Sequence, residues 1–425
     1  MSIIKNDKRT IRGWAFFDWA NSAYSLVIST AVFPPYFIAL APESLNVFGS
    51  MIDSGSVYAY SVSIAYLFLA FLVPVLSGIS DYSGRRKLML FSFTLLGSLS
   101  CISLFFFKEA SMSMFALIAF IFGTIGFGGS LVFYNAYLPE IATEDKHDSI
   151  SAKGYAYGYV GSVILLLIIL FLIQKPELFS LTSDLAIRIG FALVGVWWFG
   201  FSIITFRVLP KDKKINFDSS IFAKGMNEVL KVGRVIIEDK NIVKFLGSYF
   251  FFIAGVNVVI YLATIFAKEE LAFEQSQLIM LILMLQFLAA IGAYLFAFVS
   301  KKYGNKLSLM IQIFIWIAIC VGAYFTTGST FFFVLSAFVG LVFGGIQSLS
   351  RSTYSKMITD SQIPLASYFS FYDVLTKLAI VSGTFVFALV NQLTGNMRYS
   401  ILSLSVFFII AFIIMSGVST KVVKE

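Results

Sequence analysis

Apolar residues run along this chain in long blocks separated by short polar turns. The blocks lie near 13–40, 56–80, 88–107, 112–138, 155–173 and 186–208, then near 243–266, 277–300, 307–326, 330–354, 366–391 and 398–416. Each is long enough to cross a hydrocarbon core, which takes about 20 apolar residues in a helix. Only one polar stretch is long, about 209–242. The pattern predicts an all-α integral membrane protein with 12 transmembrane helices: an N-terminal six-helix half at 1–208, a linker at 209–242 and a C-terminal six-helix half at 243–425. The first block is too long for a signal-peptide core and reads as the first helix, bent near Pro34-Pro35.

Composition supports this division. The chain is 59% hydrophobic and 13% charged, with a mean hydropathy of +0.88, whereas soluble domains are roughly 45–50% apolar and about 25% charged. The net charge of +8 raises nucleic acid as a partner. The charges sit in short turns between apolar blocks, however, so membrane lipid is the expected partner and nucleic acid is not. Placing the N-terminus in the cytoplasm puts 25 of the 31 Lys and Arg residues on that side and 5 on the other, with Lys377 inside a block. This bias predicts that both termini are cytoplasmic, in a multi-pass protein of the cell (inner) membrane. The linker mixes Lys211, Lys213, Lys214, Lys224, Lys231, Arg234 and Lys240 with Ile221, Phe222, Met226, Val229 and Leu230. It reads either as one or two amphipathic helices on the inner leaflet or as a solvated connector. Cys101 and Cys320 fall in apolar blocks and suggest no disulfide. The single histidine, His147, reads as part of a charged loop, and no phosphate-binding loop occurs. No metal site, no cofactor and no enzyme activity are expected.

Two echoes divide the dozen helices into related sixes. Ser80-Asp81-Tyr82-Ser83-Gly84-Arg85-Arg86-Lys87 follows the second block, and Ser300-Lys301-Lys302-Tyr303-Gly304-Asn305-Lys306 follows the eighth, so Gly84 and Gly304 are 220 positions apart. Phe127-Gly128-Gly129 in the fourth block and Phe343-Gly344-Gly345 in the tenth repeat at an offset of 216. Duplicated halves produce such echoes in transporters. In the first copy Gly84 permits a tight turn, Arg85 and Arg86 hold the loop in the cytoplasm, and Asp81 can accept hydrogen bonds from arginine or a neighbouring helix N-terminus. This loop resembles the signature of the major facilitator superfamily, with Ser77 where that signature begins with glycine. The second copy has Lys301 where the aspartate stands and reads as degenerate.

The segments Phe17-Asp18-Trp19-Ala20-Asn21-Ser22-Ala23-Tyr24, Tyr134-Asn135-Ala136-Tyr137-Leu138-Pro139-Glu140 and Gly345-Ile346-Gln347-Ser348-Leu349-Ser350-Arg351-Ser352 narrow the resemblance. They are similar to the superfamily branch typified by the fungal vacuolar amino-acid effluxer of autophagy, once catalogued as an unknown major facilitator family. The resemblance implies alternating-access export or exchange of a small amino-acid-like solute. Protons are a candidate coupling ion, and a monomer is expected. An acidic residue is expected where Ser367 opens the eleventh block.

Ionisable groups inside membrane helices are costly and usually face the bundle interior. Asp18 stands about two turns into the first helix, flanked by Asn21 and followed on its helical face by Ser22, Ser25 and Ser29. It reads as a proton or substrate-ammonium site, or as a structural ion pair. Gln347, Arg351 and Tyr354 fall at i, i+4 and i+7, where Arg351 can grip a carboxylate, snorkel or brace a gate. Asp373 and Lys377 have the spacing and order of a local i, i+4 pair, a switch or simple glue. Tyr134 and Asn135 near the cytoplasmic mouth are packing groups beside Pro139 or ligands. The 48 Phe and 20 Tyr read mostly as lipid-facing bulk. Two other readings stay open: a general drug or nutrient permease of the same superfamily, and a lipid-modifying membrane enzyme. The lone histidine argues against the enzyme.

Overall fold

The structure is a computed structural model that describes residues 4–212, 220–358 and 363–419. Lys213, Lys214, Lys421 and Lys424 of the charge tally lie outside the described residues. Among those described, 12 helices are long and apolar enough to cross a membrane. The first crossing joins α1 (Lys8–Ala23), a π-helix (Tyr24–Ala31) and α2 (Phe33–Leu40); α3 (Ser54–Ser83), α4 (Arg86–Ser103), α5 (Ser113–Asn135) with the short α6 (Leu138–Ile141), α7 (His147–Gln174) and α8 (Ser183–Val208) complete the first six. The linker helix α9 (Ile221–Glu238) precedes α10 (Lys240–Leu271), α11 (Gln275–Tyr303), α12 (Asn305–Phe325), α13 (Ser329–Lys356), α14 (Leu365–Thr394) and α15 (Met397–Ser416). A small hairpin of β1 (Ser44–Val47) and β2 (Ser50–Asp53), which no apolar block foreshadows, joins the first two crossings.

The described ends of the chain, at Asn6 and Ser419, lie on one face of the bundle, as an even number of crossings requires. Asn6 N–H donates to Ile141 O at 2.8 Å, Lys87 N–H to Asp212 Oδ1 at 2.8 Å, and Asn241 Nδ2 to Ser419 O at 2.7 Å. These contacts join the segment before α1 to α6, the α3–α4 turn to the linker and the start of α10 to Ser419, on the face here called the termini face. Within the first six, α1 packs on α7 and α8, and α4 on α5 and α8. Within the last six, α11 packs on α13, and α15 on α10 and α12. The two sets meet along a seam where α7 contacts α11 and α13, and α14 contacts α3 and α5. The helix α9 bridges it, with Gly225 backbone against Gly78 of α3 and Gly233 beside Phe371 of α14. The linker therefore contains an amphipathic helix that packs Val229, Val232 and Ile236 inward.

Four expectations are corrected here. The first crossing changes character at Tyr24, ahead of the prolines, and breaks at Val32; Pro34 and Pro35 instead open α2, where a missing N–H costs nothing. The i→i+5 bonding of a π-helix rotates side chains off the α-helical register, so Ser25 and Ser29 do not continue the Asp18–Ser22 face as an α-helix would. The fifth crossing begins at His147, not 155, and His147 is a buried helical residue rather than part of a loop. The tyrosines are not mainly lipid-facing: among those described only Tyr60, Tyr294, Tyr303 and Tyr399 are exposed, whereas Tyr24, Tyr134, Tyr137, Tyr159, Tyr249, Tyr354, Tyr368 and Tyr372 are buried. Cys101 and Cys320 are free and buried, as expected.

Candidate functional site

The seam holds a buried charge pair close to the termini face. The helix α13 projects Arg351, and α1 projects Asp18; the arginine is 1% exposed and the aspartate 4%. Arg351 Nη1 donates to Asp18 Oδ2 and to Asn135 Oδ1, both at 3.2 Å. Its Nε donates to Ser151 Oγ and its Nη2 to Ser151 O, both at 2.9 Å. Tyr134 Oη donates to Asp18 Oδ2 at 2.7 Å, and Ser151 Oγ donates to Ser348 O at 2.7 Å. Three rings complete the enclosure, with the guanidinium carbon 4.9 Å from the Trp14 centroid, 5.5 Å from Tyr134 and 4.2 Å from Tyr155. One cation of the last six thus meets α1, α5 and α7 of the first six. Gly154 makes the approach possible: a Cβ there would lie 2.4 Å from Asp18 Oδ2 and 2.9 Å from Arg351 Nη2. The arginine does not snorkel, because every direction is occupied by protein.

Two further carboxylates close the seam at its rim. Asp81, at the end of α3, accepts from Ser367 N at 2.7 Å, Ser367 Oγ at 2.9 Å and Ala366 N at 3.2 Å. These are the unsatisfied amides that begin α14, where a helix dipole favours an anion. Arg86 reaches Asp81 at 3.4 Å, pairs with Glu140 and lies over the Tyr137 ring. Gly84 supplies the turn with a positive φ of 66°, and Arg85 follows it to open α4. Across the bundle, Asp148 in the first turn of α7 accepts from Lys356 Nζ at 2.7 Å, Ser300 Oγ at 2.8 Å and Asn305 Nδ2 at 2.8 Å. All three donors belong to the last six helices. His147 beside it shares a hydrogen bond of 3.0 Å with Ser355 of α13.

The family model described as "Vacuole effluxer Atg22 like" matches residues 6–424. The chain belongs to this family. It is 29% identical over 418 residues to an uncharacterized MFS-type transporter, YxiO, of Bacillus subtilis, covering 98% of this chain and 96% of that one. It is 25% identical over 484 residues to autophagy-related protein 22 of Vanderwaltozyma polyspora, covering 97% and 91%. Among solved structures it is similar to the major facilitator transporter FucP in the outward conformation, with a TM-score of 0.72, 15% identity and coverage of 98% and 99%. A bacterial homologue of the iron transporter ferroportin in an outward-facing state gives a TM-score of 0.65 at 12% identity, with coverage of 96% and 98%. This Atg22-like protein is therefore a major facilitator transporter of small solutes in a lipid membrane, not an enzyme.

Within this Atg22-like transporter the candidate residues separate into groups. Asp18, Tyr134, Asn135 and Arg351 come together. Asn21 stays one turn away, donating to Ser130 Oγ at 3.1 Å. Ser22 lies against Gly158 of α7, and Ser25 offers its carbonyl to Thr30 within the π-helix. Gln347 is partly buried one turn before Arg351 and is not among its partners. Asp373 and Lys377 pair with each other deep in α14. Trp14, Ser151, Tyr155 and Asp148 were not singled out by sequence reasoning. The signal that points to α7 is Gly154, Gly158 and Gly161, the small-residue spacing of close helix contact. The missing acid at 367 also has a physical reason, since Ser367 is a donor to Asp81 and a carboxylate there would face another.

Proposed function

We propose that this protein exports or exchanges amino-acid-like solutes across the cell's inner membrane by alternating access, as a monomer with both termini in the cytoplasm and with protons as the coupling ion. The observation that carries this reading is the Asp18–Arg351 pair across the seam. A buried ion pair is no better for stability than a well-packed apolar contact, so its value lies in being breakable. Arg351 retains Asn135, Ser151 and three aromatic faces if Asp18 is neutralised. Cation–π contacts stabilise a desolvated guanidinium. Asp18 can therefore gain a proton without stranding a bare cation, which suits it to couple protons to the seam. The family description names an effluxer, and the fungal relatives are autophagy proteins; these support efflux and extend it to this chain as part of the proposal.

The test is uptake and counterflow of labelled amino acids in proteoliposomes, with and without a pH gradient. Wild type is expected to accumulate substrate only with the gradient. Asp18→Asn is expected to keep counterflow and lose gradient-driven accumulation. Unchanged accumulation in Asp18→Asn would remove that residue from the proton path. Failure of every amino acid under every gradient would overturn the substrate class.

A further inference from the structure

The linker helix α9 carries two apolar faces, and the bundle covers only one. Gly225, Val229, Val232 and Ile236 share an arc of about 60° at 100° per residue and are buried. Phe222, Leu230 and Ile237 share the neighbouring arc of about 80° and are 57%, 54% and 74% exposed. Asn227, Lys231, Arg234 and Glu238, all exposed, take the arc after that. Its centre lies about 140° from that of the free apolar arc, so the two face nearly opposite ways.

The level at which α9 sits identifies its cover. A Cβ on Gly78 of α3 would lie 2.1 Å from Gly225 O, and one on Gly233 would lie 3.1 Å from Phe371 Cζ of α14. Gly78 stands six residues before Gly84, where α3 ends, and Phe371 six after Leu365, where α14 begins. At 1.5 Å per residue both contacts are about 9 Å inside the ends of their crossings. The helix α9 therefore runs along the bilayer plane from one crossing to the other. Each crossing has 30 residues, so it is about 45 Å long and overhangs a hydrocarbon core of about 30 Å by roughly 7 Å at each end. The seat of α9 thus coincides with the boundary between headgroups and acyl chains, where an interfacial amphipathic helix buries its apolar side. Phe71 of α3 and Val381 of α14 are exposed on the same two crossings, and the free arc of α9 continues their lipid-facing surface. We infer that α9 is an in-plane membrane anchor: Phe222, Leu230 and Ile237 enter the acyl boundary of the termini-side leaflet, and Lys231 and Arg234 hold anionic lipid headgroups beside it. The helix has Lys224, Lys231 and Arg234 against Glu228 and Glu238, an excess of one positive charge. Lys224 lies over the Tyr82 ring, which leaves Lys231 and Arg234 for the lipid. Because α9 touches both α3 and α14, the leaflet grips the protein at the seam itself. Nothing in this seating depends on the solute or on the coupling ion.

The test uses the full-length protein with Cys101 and Cys320 replaced by alanine, in vesicles of phosphatidylcholine mixed with phosphatidylglycerol. Nitroxide labels are placed singly by Phe222→Cys, Leu230→Cys, Ile237→Cys and, on the polar arc, Asn227→Cys. All four positions are exposed, so the labels displace no packed group. The first three labels are expected to collide more with oxygen, which enters the acyl region, than with a water-soluble nickel complex. The label at 227 is expected to show the reverse. Nickel-dominated collisions at all four positions would make α9 a solvated connector and overturn the anchor. Shielding from both reagents at 222, 230 and 237 would mean that protein covers the arc, and overturns it too. Headgroup choice is read by energy transfer from a donor dye on Leu230→Cys to acyl-labelled phosphatidylglycerol or phosphatidylcholine probes. The anionic probe is expected to be enriched beside the dye about fivefold, the scale of one basic residue at a charged surface. High salt, or Lys231→Gln with Arg234→Gln, should bring the two probes level. Equal transfer to both probes at low salt without those substitutions overturns the headgroup assignment, whether or not the double variant folds.

Discussion

Replacing Asp148 by asparagine tests the rim lock most directly. The change keeps shape and removes charge. Its consequence follows from the partners, because Lys356 Nζ, Ser300 Oγ and Asn305 Nδ2 all donate and all sit within 2.8 Å. An amide offers one accepting oxygen and an NH2 that must face at least one of these donors. Breaking a buried pair from one side costs about 3–5 kcal/mol. The Lys356 side chain is 18% exposed and can turn partly to water, so the lower end, about 3 kcal/mol, applies. That loss falls on the closed seam alone, since the partners separate when it opens. At about 1.4 kcal/mol per tenfold, the open population should rise by roughly 100-fold.

Ala152 reports the opening. It is fully buried and clusters with Ala293 and Ala297 of α11 across the seam. The native cysteines, both buried, are first replaced by alanine. Ala152→Cys is then labelled with a membrane-impermeant maleimide from the termini face. Asp148→Asn should raise the labelling rate by about two orders of magnitude, saturating where the open state dominates. Moving the acid to the end of α11, with Asp148→Ser plus Lys301→Asp, should return the rate toward wild type. Unchanged labelling in folded Asp148→Asn would refute the lock.

The same logic yields shorter tests elsewhere. Ser367→Asp sets two carboxylates face to face, since Ser367 Oγ lies 2.9 Å from Asp81 Oδ2; it should increase Ala152→Cys labelling, and adding Asp81→Asn should reverse the effect. Arg351→Lys cannot reproduce the fork that meets Asp18, Asn135 and Ser151 together, so uptake should fall at least about 10-fold in protein that still elutes as a folded species. Gly154→Ala forces its Cβ against Asp18 and Arg351 and should cost about 1–3 kcal/mol by overpacking, read as a lower Tm together with lost uptake. At the N-terminus, hydrogen bonds from Thr10 hold the Asp7 carboxyl below its ordinary 3.8. A depressed folded value means that the cap of α1 is present above that ordinary value and is lost as pH falls through the lower folded one. Hydrogen exchange at residues 8–11, corrected for intrinsic rate, should show more fraying on acidification.

The helix count was legible because a membrane imposes a length on every apolar block, whatever its neighbours. Asp81 was legible too: an acid at a helix end beside Arg85 and Arg86 must find donors, and it finds the start of α14. Asp18 stood out as the acid of an otherwise apolar helix. What stayed hidden depended on the other half of the chain. The start of α7 carries Asp148 and Lys153 among small polar residues and has the composition of a loop. It is helical and buried because α11, α12 and α13 supply donors to Asp148. Two of the aromatic faces around Arg351 were equally invisible, since Trp14 and Tyr155 come from different helices, neither of them that of Arg351. No periodicity marks the π-helix at Tyr24–Ala31, so an α-helical wheel extends the serine stripe past Ser22 where the backbone does not.

The two rims explain what looked like decay in the second loop. Asp81 stands three positions before Gly84, and Lys301 three before Gly304. The helix starts facing those loops carry Ser367 and Asp148, which are 219 positions apart, close to the 220 of the glycines. Each rim therefore holds one central carboxylate, at the helix end before the loop in the first case and on the opposing helix start in the second, and each carboxylate faces donors across the seam. Two acids at one rim would repel, and none would leave helix amides or Lys356 without an anion. One such acid per rim would make a lock of about a few kcal/mol, within the range that a ligand's preference of about 5.5 kcal/mol can overturn from one extreme to the other. A seam packed only with apolar groups would have no such release. The second rim keeps its carboxylate on the opposing helix start, which is why Lys301 can stand where the first rim has Asp81.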